Sequence, residues 1–370
     1  MTMIAHRGAS VFDGVRLWQP GVMLAEGGRF AGVARDVPKG AVVKEWDGGT
    51  LLPGFVDLQV NGGGGVMFND APTVATLAVM AAAHWRLGTR AMLPTLNTNI
   101  PAHTGAAIEA VEQARAQGVP GIAGLHLEGP HLSVARKGAH DAGLIRPMGA
   151  DDLVLLCDVV RRVGVLMVTV APEAVTLAQI TALRAAGVIV SLGHSDCSYE
   201  AGCAAFDAGA TCVTHLFNAM SGLSSRAPGL VGAALDRPVA AGLIADGIHV
   251  HPATIRAALR AKPEGVFLVS DAMATAGSDI DQFTLNGRTV LRRVGRLTLE
   301  GGTLAGADLT MGQAVRVMVD QVGLPLERVL RMATSGPATV MGDETGLGHL
   351  TRGAPLNCIH MAQGGTIIAV

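Results

Sequence analysis

Four side chains stand where a chain of this pattern would do chemistry at a metal ion: Glu128, His194, His215 and Asp271. Glu128 closes the apolar run IAGLHLEG from residue 122, and His194 ends VIVSLGHS from 188. His215 lies in TCVTHLFN from 211, and Asp271 ends VFLVSDA from 266. Two imidazoles and one carboxylate, with a position left for water, are the ligand set of a catalytic zinc or iron ion. Such an ion lowers the pKa of bound water to about 7. Asp271 is then the expected base, taking a proton from water and passing it to a leaving group; standing alone it would read as a helix N-cap. Further polar residues mark the ends of other apolar runs: Gln59 and Asn61, Thr95, His126, Glu173, Asp246 and His249. Buried charges without partners are costly, so this recurrence is hard to explain as packing.

Such groups meet only if the apolar runs lie side by side. Eight strand candidates start at 51, 89, 122, 165, 188, 211, 239 and 266, with amphipathic helices such as 73–88, 104–118 and 176–187 between them. Several helices end in Gly, the expected left-handed stop. Runs without period-two alternation suit a parallel sheet covered on both faces. Eight βα units predict an α/β fold, a (β/α)8 TIM-like barrel with its chemistry at the C-terminal strand ends. Residues 1–50 read as short strands of a small antiparallel sheet. A hairpin-like insertion is expected at 283–306, then helices at 311–322 and 325–341 and a tail of short strands. The expected organisation is a barrel over 51–340 and a small β-sandwich domain built from both termini, 1–50 and 341–370.

Composition limits the function. In 370 residues, 49% are hydrophobic and 16% charged, which excludes wholesale disorder. The formal net charge is −2 and no Lys/Arg run appears, so no nucleic-acid partner is expected. No apolar run approaches the ~20 residues that span a bilayer, so no membrane partner is expected either. The first twenty residues lack a signal-peptide core, and a cytoplasmic location is expected. The five cysteines never fall in CxxC spacing, which argues against a disulfide framework or a cysteine zinc site. The glycines at 62–65 lack the following Lys-Ser/Thr of a P-loop.

Longer motifs carry a resemblance. LLPGFVDLQVNGGGG (51–65), HLEGPHL (126–132), KGAH (137–140), GHSD (193–196) and THLFNAM (214–220) resemble the N-acetylglucosamine-6-phosphate deacetylase family of the amidohydrolase superfamily. So do APGLVGAAL (227–235), LIADGIHVHP (243–252) and SDAMATAG (270–277). The resemblance implies hydrolysis of the N-acetyl amide of an N-acetylglucosamine 6-phosphate substrate. It implies Glu128, His194 and His215 as metal ligands, Asp271 as base and then acid, and His140 near the substrate carbonyl. Sugar and phosphate contacts would fall on Asn218, Ala219, Arg226 and His249, and a homodimer is implied, with Arg226 as a candidate to reach the neighbouring subunit's site.

Two features depart from the wider pattern. Many superfamily members carry His-x-His at the end of the first strand, for a second ion. Here Gln59 and Asn61 stand there, and neutral amides are weak donors for zinc. One divalent ion per subunit is therefore expected, Zn²⁺ first and Fe²⁺, Mn²⁺ or Co²⁺ as substitutes, with both amides acting as hydrogen-bonding groups beside it. The second departure is RGAPLNCIHM (352–361), where an Ala-Asp pair is usual. The alternatives are a deacetylase for another amino-sugar phosphate, such as N-acetylgalactosamine 6-phosphate, an enzyme for a cyclic amide, or a non-catalytic sugar-phosphate sensor. A sensor would be expected to lose Asp271 or the metal ligands.

Overall fold

The structure, a computed structural model, describes residues 2–342 and 346–370. Eight parallel strands form the central sheet: β1 (Phe55–Val60), β2 (Thr89–Asn97), β3 (Gly124–Glu128), β4 (Val165–Val170), β5 (Ile189–Leu192), β6 (Cys212–Val213), β7 (Ala240–Ile244) and β8 (Val266–Val269). They pair in sequence order, and β8 returns to β1 through a parallel bridge between Val60 and Ala272. The closing bonds run from Asp271 N to Gln59 O at 3.0 Å and from Asn61 N to Ala272 O at 2.8 Å. Below them the buried Asp57 accepts from Ser270 N at 3.2 Å. Burial pushes its carboxyl up to about 7, so the seam is held by a carboxyl that protonates readily.

Helices α1 (Val74–Arg86), α2 (Pro101–Ala116), α3 (Ala150–Val163), α4 (Leu177–Ala185), α5 (Tyr199–Asp207), α6 (Gly229–Asp236) and α7 (Pro252–Ala261) follow the first seven strands. Local sequence fixes their ends. Thr176 and Gln179 make a capping box at the start of α4. Gly88, Gly118 and Gly187 lie just beyond α1, α2 and α4 with φ of 92°, 71° and 92°. No described helix is long and apolar enough to cross a membrane.

Three expected elements differ. The run from residue 51 is two strands: Thr50–Pro53 joins a five-stranded sheet and Phe55–Val60 enters the barrel. Gly54 marks the switch, because a Cβ there would lie 1.9 Å from Arg90 Cγ. The 283–306 insertion is a three-stranded meander, Gln282–Leu285, Arg288–Arg293 and Arg296–Leu299, and not a single hairpin. The helix expected at 325–341 breaks at Thr334, whose φ of −132° and ψ of −87° separate Leu326–Ala333 from Ser335–Met341.

The remaining strands form a two-stranded ribbon, Gly62–Gly63 with Val66–Met67, and two larger sheets. Arg29–Ala34, Val22–Glu26, Met3–Arg7 and Val42–Glu45 make one; it is mixed where purely antiparallel pairing was expected, since Met3–Arg7 runs parallel to Val42–Glu45. Ile367–Ala369, Cys358–Met361, Thr50–Pro53, Ser10–Phe12 and Leu17–Trp18 make the other, so the two chain ends share a sheet. Met23 and Phe30 of the first sheet and Val11, Leu51 and Cys358 of the second share one apolar cluster, giving a sandwich. Residues 343–345, within the expected 341–370 segment, lie outside the described residues. All five cysteines are free.

The sandwich holds a neutral histidine. Trp46 Nε1 donates to His6 Nδ1 at 3.2 Å, and burial with the nearby Lys44 charge lowers the His6 pKa to about 4. The unfolded chain, with a His pKa near 6.5, binds the extra proton first, so stability is lost as pH falls from 6.5 towards 4. Between pH 6.5 and 5 this amounts to about 2 kcal/mol. Urea midpoints at pH 7 and pH 5 should therefore converge in His6→Gln relative to the unaltered protein; an unchanged pH dependence would exclude His6 as the source.

Candidate functional site

Glu128 ends β3, while His194 and His215 lie just past β5 and β6. Both histidines take left-handed backbone, with φ of 46° and 32°, as do Ala219 at 48° and Asp271 at 49°. Non-glycine residues rarely adopt this region, and its recurrence at adjacent strand ends is what a strained functional site shows. The turns after β5 and β6 support each other: Ser195 N donates to Ala219 O at 3.1 Å and Ser221 N to Ser195 O at 2.9 Å. Gly129 keeps the turn after Glu128 tight, because a Cβ there would lie 2.2 Å from Thr98 Oγ1.

The donor atoms of Glu128, His194 and His215 all lie within 4.8 Å of one another, and all three residues are buried. His194 Nε2 and His215 Nε2 are 3.1 Å apart and approach Glu128 Oε1 at 3.3 and 3.0 Å. His194 Nδ1 lies 2.8 Å from the Arg136 carbonyl, which only accepts, so Nδ1 carries the proton and Nε2 presents its lone pair. Two imidazole nitrogens converging on one carboxylate oxygen form a donor set that a cation would fit. Burial alone would raise the Glu128 pKa, but the adjoining His194 and His215 imidazoles outweigh it and hold the carboxyl well below the usual range. Among the described residues this is the one group with the geometry of a metal site.

Gln59 Nε2 donates to Glu128 Oε1 at 3.0 Å, and Asn61 Nδ2 to Asp271 Oδ1 at 2.7 Å. Each amide therefore faces a carboxylate. Burial and the Glu128 charge push the Asp271 carboxyl up to about 6, within reach of neutral-pH proton transfer. His140 Nε2 stands 3.8 Å from Glu128 Oε2, and His140 Nδ1 meets Thr98 Oγ1 at 2.8 Å. Burial and the neighbouring His194 lower its pKa to about 3, so it is neutral. At the end of β7, Asp246 accepts from Ile248 N and His249 N, both at 2.8 Å, and from His249 Nδ1 at 2.6 Å. That contact fixes the His249 ring and leaves Nε2 for a ligand.

These residues share a cleft of about 220 Å³ lined by Asn61, Glu128, His140, His194, His215, Asn218, Ala219, His249 and Asp271. Other expected residues fall elsewhere. Arg226 lies in the exposed stretch 222–227 and is not part of the lining. His126 is turned into the barrel, bonded to Leu58 O at 3.0 Å and Thr169 Oγ1 at 2.7 Å, and Thr95 Oγ1 receives Val60 N at 3.0 Å. Both are satisfied core groups. Glu173 is exposed and braces the turn after His194 through Ser195 Oγ and Asp196 N.

Sequence reasoning missed Asn97 at the end of β2, which lines the cleft in place of Thr95. It also missed Leu285, Thr303 and Leu304, which bring the insertion over the mouth. Strand alternation carried one signal: Thr95 and Asn97 share a face, and the farther one reaches the rim. Nothing in the insertion's sequence announced its place. A larger hollow of about 770 Å³ opens at the opposite barrel end beside Lys262 and Arg331, away from this cluster.

Residues 50–363 match the amidohydrolase family. The chain is 44% identical over 324 residues to an N-acetylgalactosamine-6-phosphate deacetylase of Shewanella, covering 87% of this chain and 82% of that protein. It is 37% identical over 316 residues to an N-acetylglucosamine-6-phosphate deacetylase of Haemophilus influenzae, covering 84% and 82%. The crystal structure of N-acetylglucosamine-6-phosphate deacetylase from Pasteurella multocida superposes with a TM-score of 0.93 at 36% identity, covering 99% of this chain and 97% of that one.

The preassembled donors generate a test independent of any reaction. An ion that binds only the folded protein adds about 2.7 kcal/mol of stability at a hundred times its Kd. Zn²⁺ should therefore raise the melting temperature of chelator-treated protein, and Glu128→Gln should abolish most of the rise. An undiminished rise in that variant would place the ion elsewhere.

Proposed function

The chain belongs to the amidohydrolase family, and from that premise we propose that it hydrolyses the N-acetyl amide of N-acetyl-D-glucosamine 6-phosphate to D-glucosamine 6-phosphate and acetate. The observation that carries the reading is the convergence, in one cleft, of a Glu–His–His cluster and the carboxyl of Asp271. A second reading, the galactosamine epimer, is favoured by the 44% identity to the Shewanella protein. Both readings share one reaction and differ in which face of the sugar carries one hydroxyl.

Glu128, His194 and His215 would hold one divalent ion per subunit, Zn²⁺ in the proposed enzyme. That ion supplies Lewis acidity to water and to the amide carbonyl. Asp271 takes the proton from water as the C–O bond forms, then delivers it to the nitrogen as the C–N bond breaks. Asn61 holds one oxygen of Asp271, leaving the other for the proton. His140, anchored through Nδ1 at Thr98 Oγ1, would turn its Nε2 towards the acyl oxygen. His249, Asn218 and the backbone at Ala219 face the sugar and its phosphate. Arg226 stands outside its own chain's cleft on an exposed loop, which supports a homodimer in which it reaches the neighbour's phosphate. A location in the cytoplasm is part of the same reading.

Acetate release from a panel of N-acetylated sugar phosphates tests the function: turnover of neither hexosamine epimer would overturn it, and the larger kcat/KM names the epimer. Asp271→Asn should retain the metal while kcat falls by ~10²–10⁴-fold; near-normal turnover would remove Asp271 from the proton path. Arg226→Ala or His249→Ala should raise KM for the phosphorylated sugar by about one to two decades, and far less for the unphosphorylated one. Equal effects on both would assign these residues to the fold. Metal analysis after loading with excess Zn²⁺ and desalting should give one equivalent per chain, and two tightly held equivalents needed for activity would refute the single-ion site.

A further inference from the structure

We infer that the hollow at the N-terminal end of the barrel is a second binding site, for the phosphate monoester of a small metabolite, with Lys262 and Arg328 holding the phosphate. It lies at the other end of the barrel from the Glu128 cluster and stands independently of the proposed deacetylation. The hollow measures about 770 Å³, within the usual size range of small-molecule sites. One wall is the start of β7 and β8 with the loop 262–265 that joins α7 to β8. The other is formed by helices Leu326–Ala333 and Ser335–Met341, with Gly14, Val15 and His349 from beside the sandwich.

Charge is what this hollow leaves unsettled. Lys262 is only 5% exposed, and its Nζ donates to Arg237 O at 2.7 Å. Arg328 Nη2 donates to the carbonyl of Pro263, the residue after Lys262, also at 2.7 Å. Two cations are thus anchored on one loop by main-chain carbonyls, which orient a positive charge without cancelling it. Among the described residues neither of them forms an ion pair with a carboxylate. Arg331, which also lines the hollow, does so with Glu327 at 3.1 Å. Glu264 is the one acidic side chain in the wall, and it is exposed. Burying a charge without a counter-charge is costly, and burial accordingly lowers the Lys262 pKa. An anion in the hollow offsets that cost.

The arrangement selects among anions. Two cations on one loop match a dianion, and a guanidinium fork matches the oxygens of a phosphate. Lys262 commits one of its three N–H donors to Arg237 O, and Arg328 one of its five to Pro263 O, so both keep donors for a ligand. Beside them Val239, Leu259, Met332 and Val340 supply an apolar wall, which an organic body covers and a bare phosphate does not. Ser335 Oγ donates to Gly14 O at 2.6 Å and Arg331 Nη1 to Val15 O at 3.4 Å, so the far wall is tied to the turn between Ser10–Phe12 and Leu17–Trp18. An occupant therefore touches both the barrel and a segment of the sandwich.

The test is calorimetric titration with glucose 6-phosphate of metal-loaded protein carrying Arg226→Ala and His249→Ala, which weaken the phosphate contacts proposed for the catalytic cleft. One equivalent per chain should still bind, and adding Lys262→Met should weaken it by ~10–100-fold, the effect of losing a charge-assisted contact. Arg328→Gln gives the same readout should Lys262→Met disturb folding, with metal content and melting temperature confirming each protein. Inorganic phosphate should bind the same site more weakly, because it leaves the apolar wall uncovered. No binding, or binding unchanged by both Lys262→Met and Arg328→Gln, overturns the inference. A glucose 6-phosphate affinity no better than that of inorganic phosphate overturns its assignment to an ester.

Discussion

Two imidazole nitrogens held 3.1 Å apart, each about 3 Å from one carboxylate oxygen, form the arrangement on which the rest of the structure depends. Lone pairs at that distance repel unless a proton or a metal ion lies between them. The protein must therefore supply the rigidity that holds them together. It does so with backbone: left-handed turns at His194 and His215, cross-bonded through Ser195 and Ser221, and the Arg136 carbonyl that fixes the His194 ring. Residues strained in this way persist only where the surroundings over-determine them.

The barrel's closure serves the same end. The bonds that join β8 to β1 are made at Gln59, Asn61 and Asp271, so the seam and one wall of the site are the same residues. Asp271 cannot move without opening the barrel. The insertion completes the enclosure. Its meander packs Leu285, Val290 and Leu297 on Met67 and Met273, residues that follow β1 and β8. Arg288 then reaches the Ala139 carbonyl beside His140. Closing the mouth in this way raises the strength of every charge interaction inside it.

Much of this was legible in the sequence, and the reason is chemical. Glu128, His194, His215 and Asp271 are polar residues after apolar runs, and a barrel brings strand ends together whatever the helices between them do. What stayed hidden depended on direction or on distant contact. His126 and Thr95 also sit near strand ends, yet they face the interior, where Thr169 and Val60 satisfy them. The split at Gly54 was invisible because both halves of LLPGFVDLQV are apolar; only the neighbouring Arg90 side chain and the strand Cys358–Met361 distinguish them. Asn97 needed the geometry of the cleft, since its sequence neighbourhood, PTLNTN, reads as a polar loop.

Charge balance explains why amides stand where histidines are common. Glu128 and Asp271 are each buried, and each accepts a neutral N–H from Gln59 or Asn61. Two carboxylates and one dication would sum to zero. A second dication would leave two uncompensated positive charges among groups that carry none, at the high cost of burying unpaired charge. The amide nitrogens are committed to the carboxylates. The Gln59 contact orients Glu128 towards His194 and His215, and the Asn61 contact fixes which oxygen of Asp271 remains free. Substituting imidazoles at 59 and 61 would gain metal donors, but it would also release the two carboxylates that Gln59 and Asn61 orient.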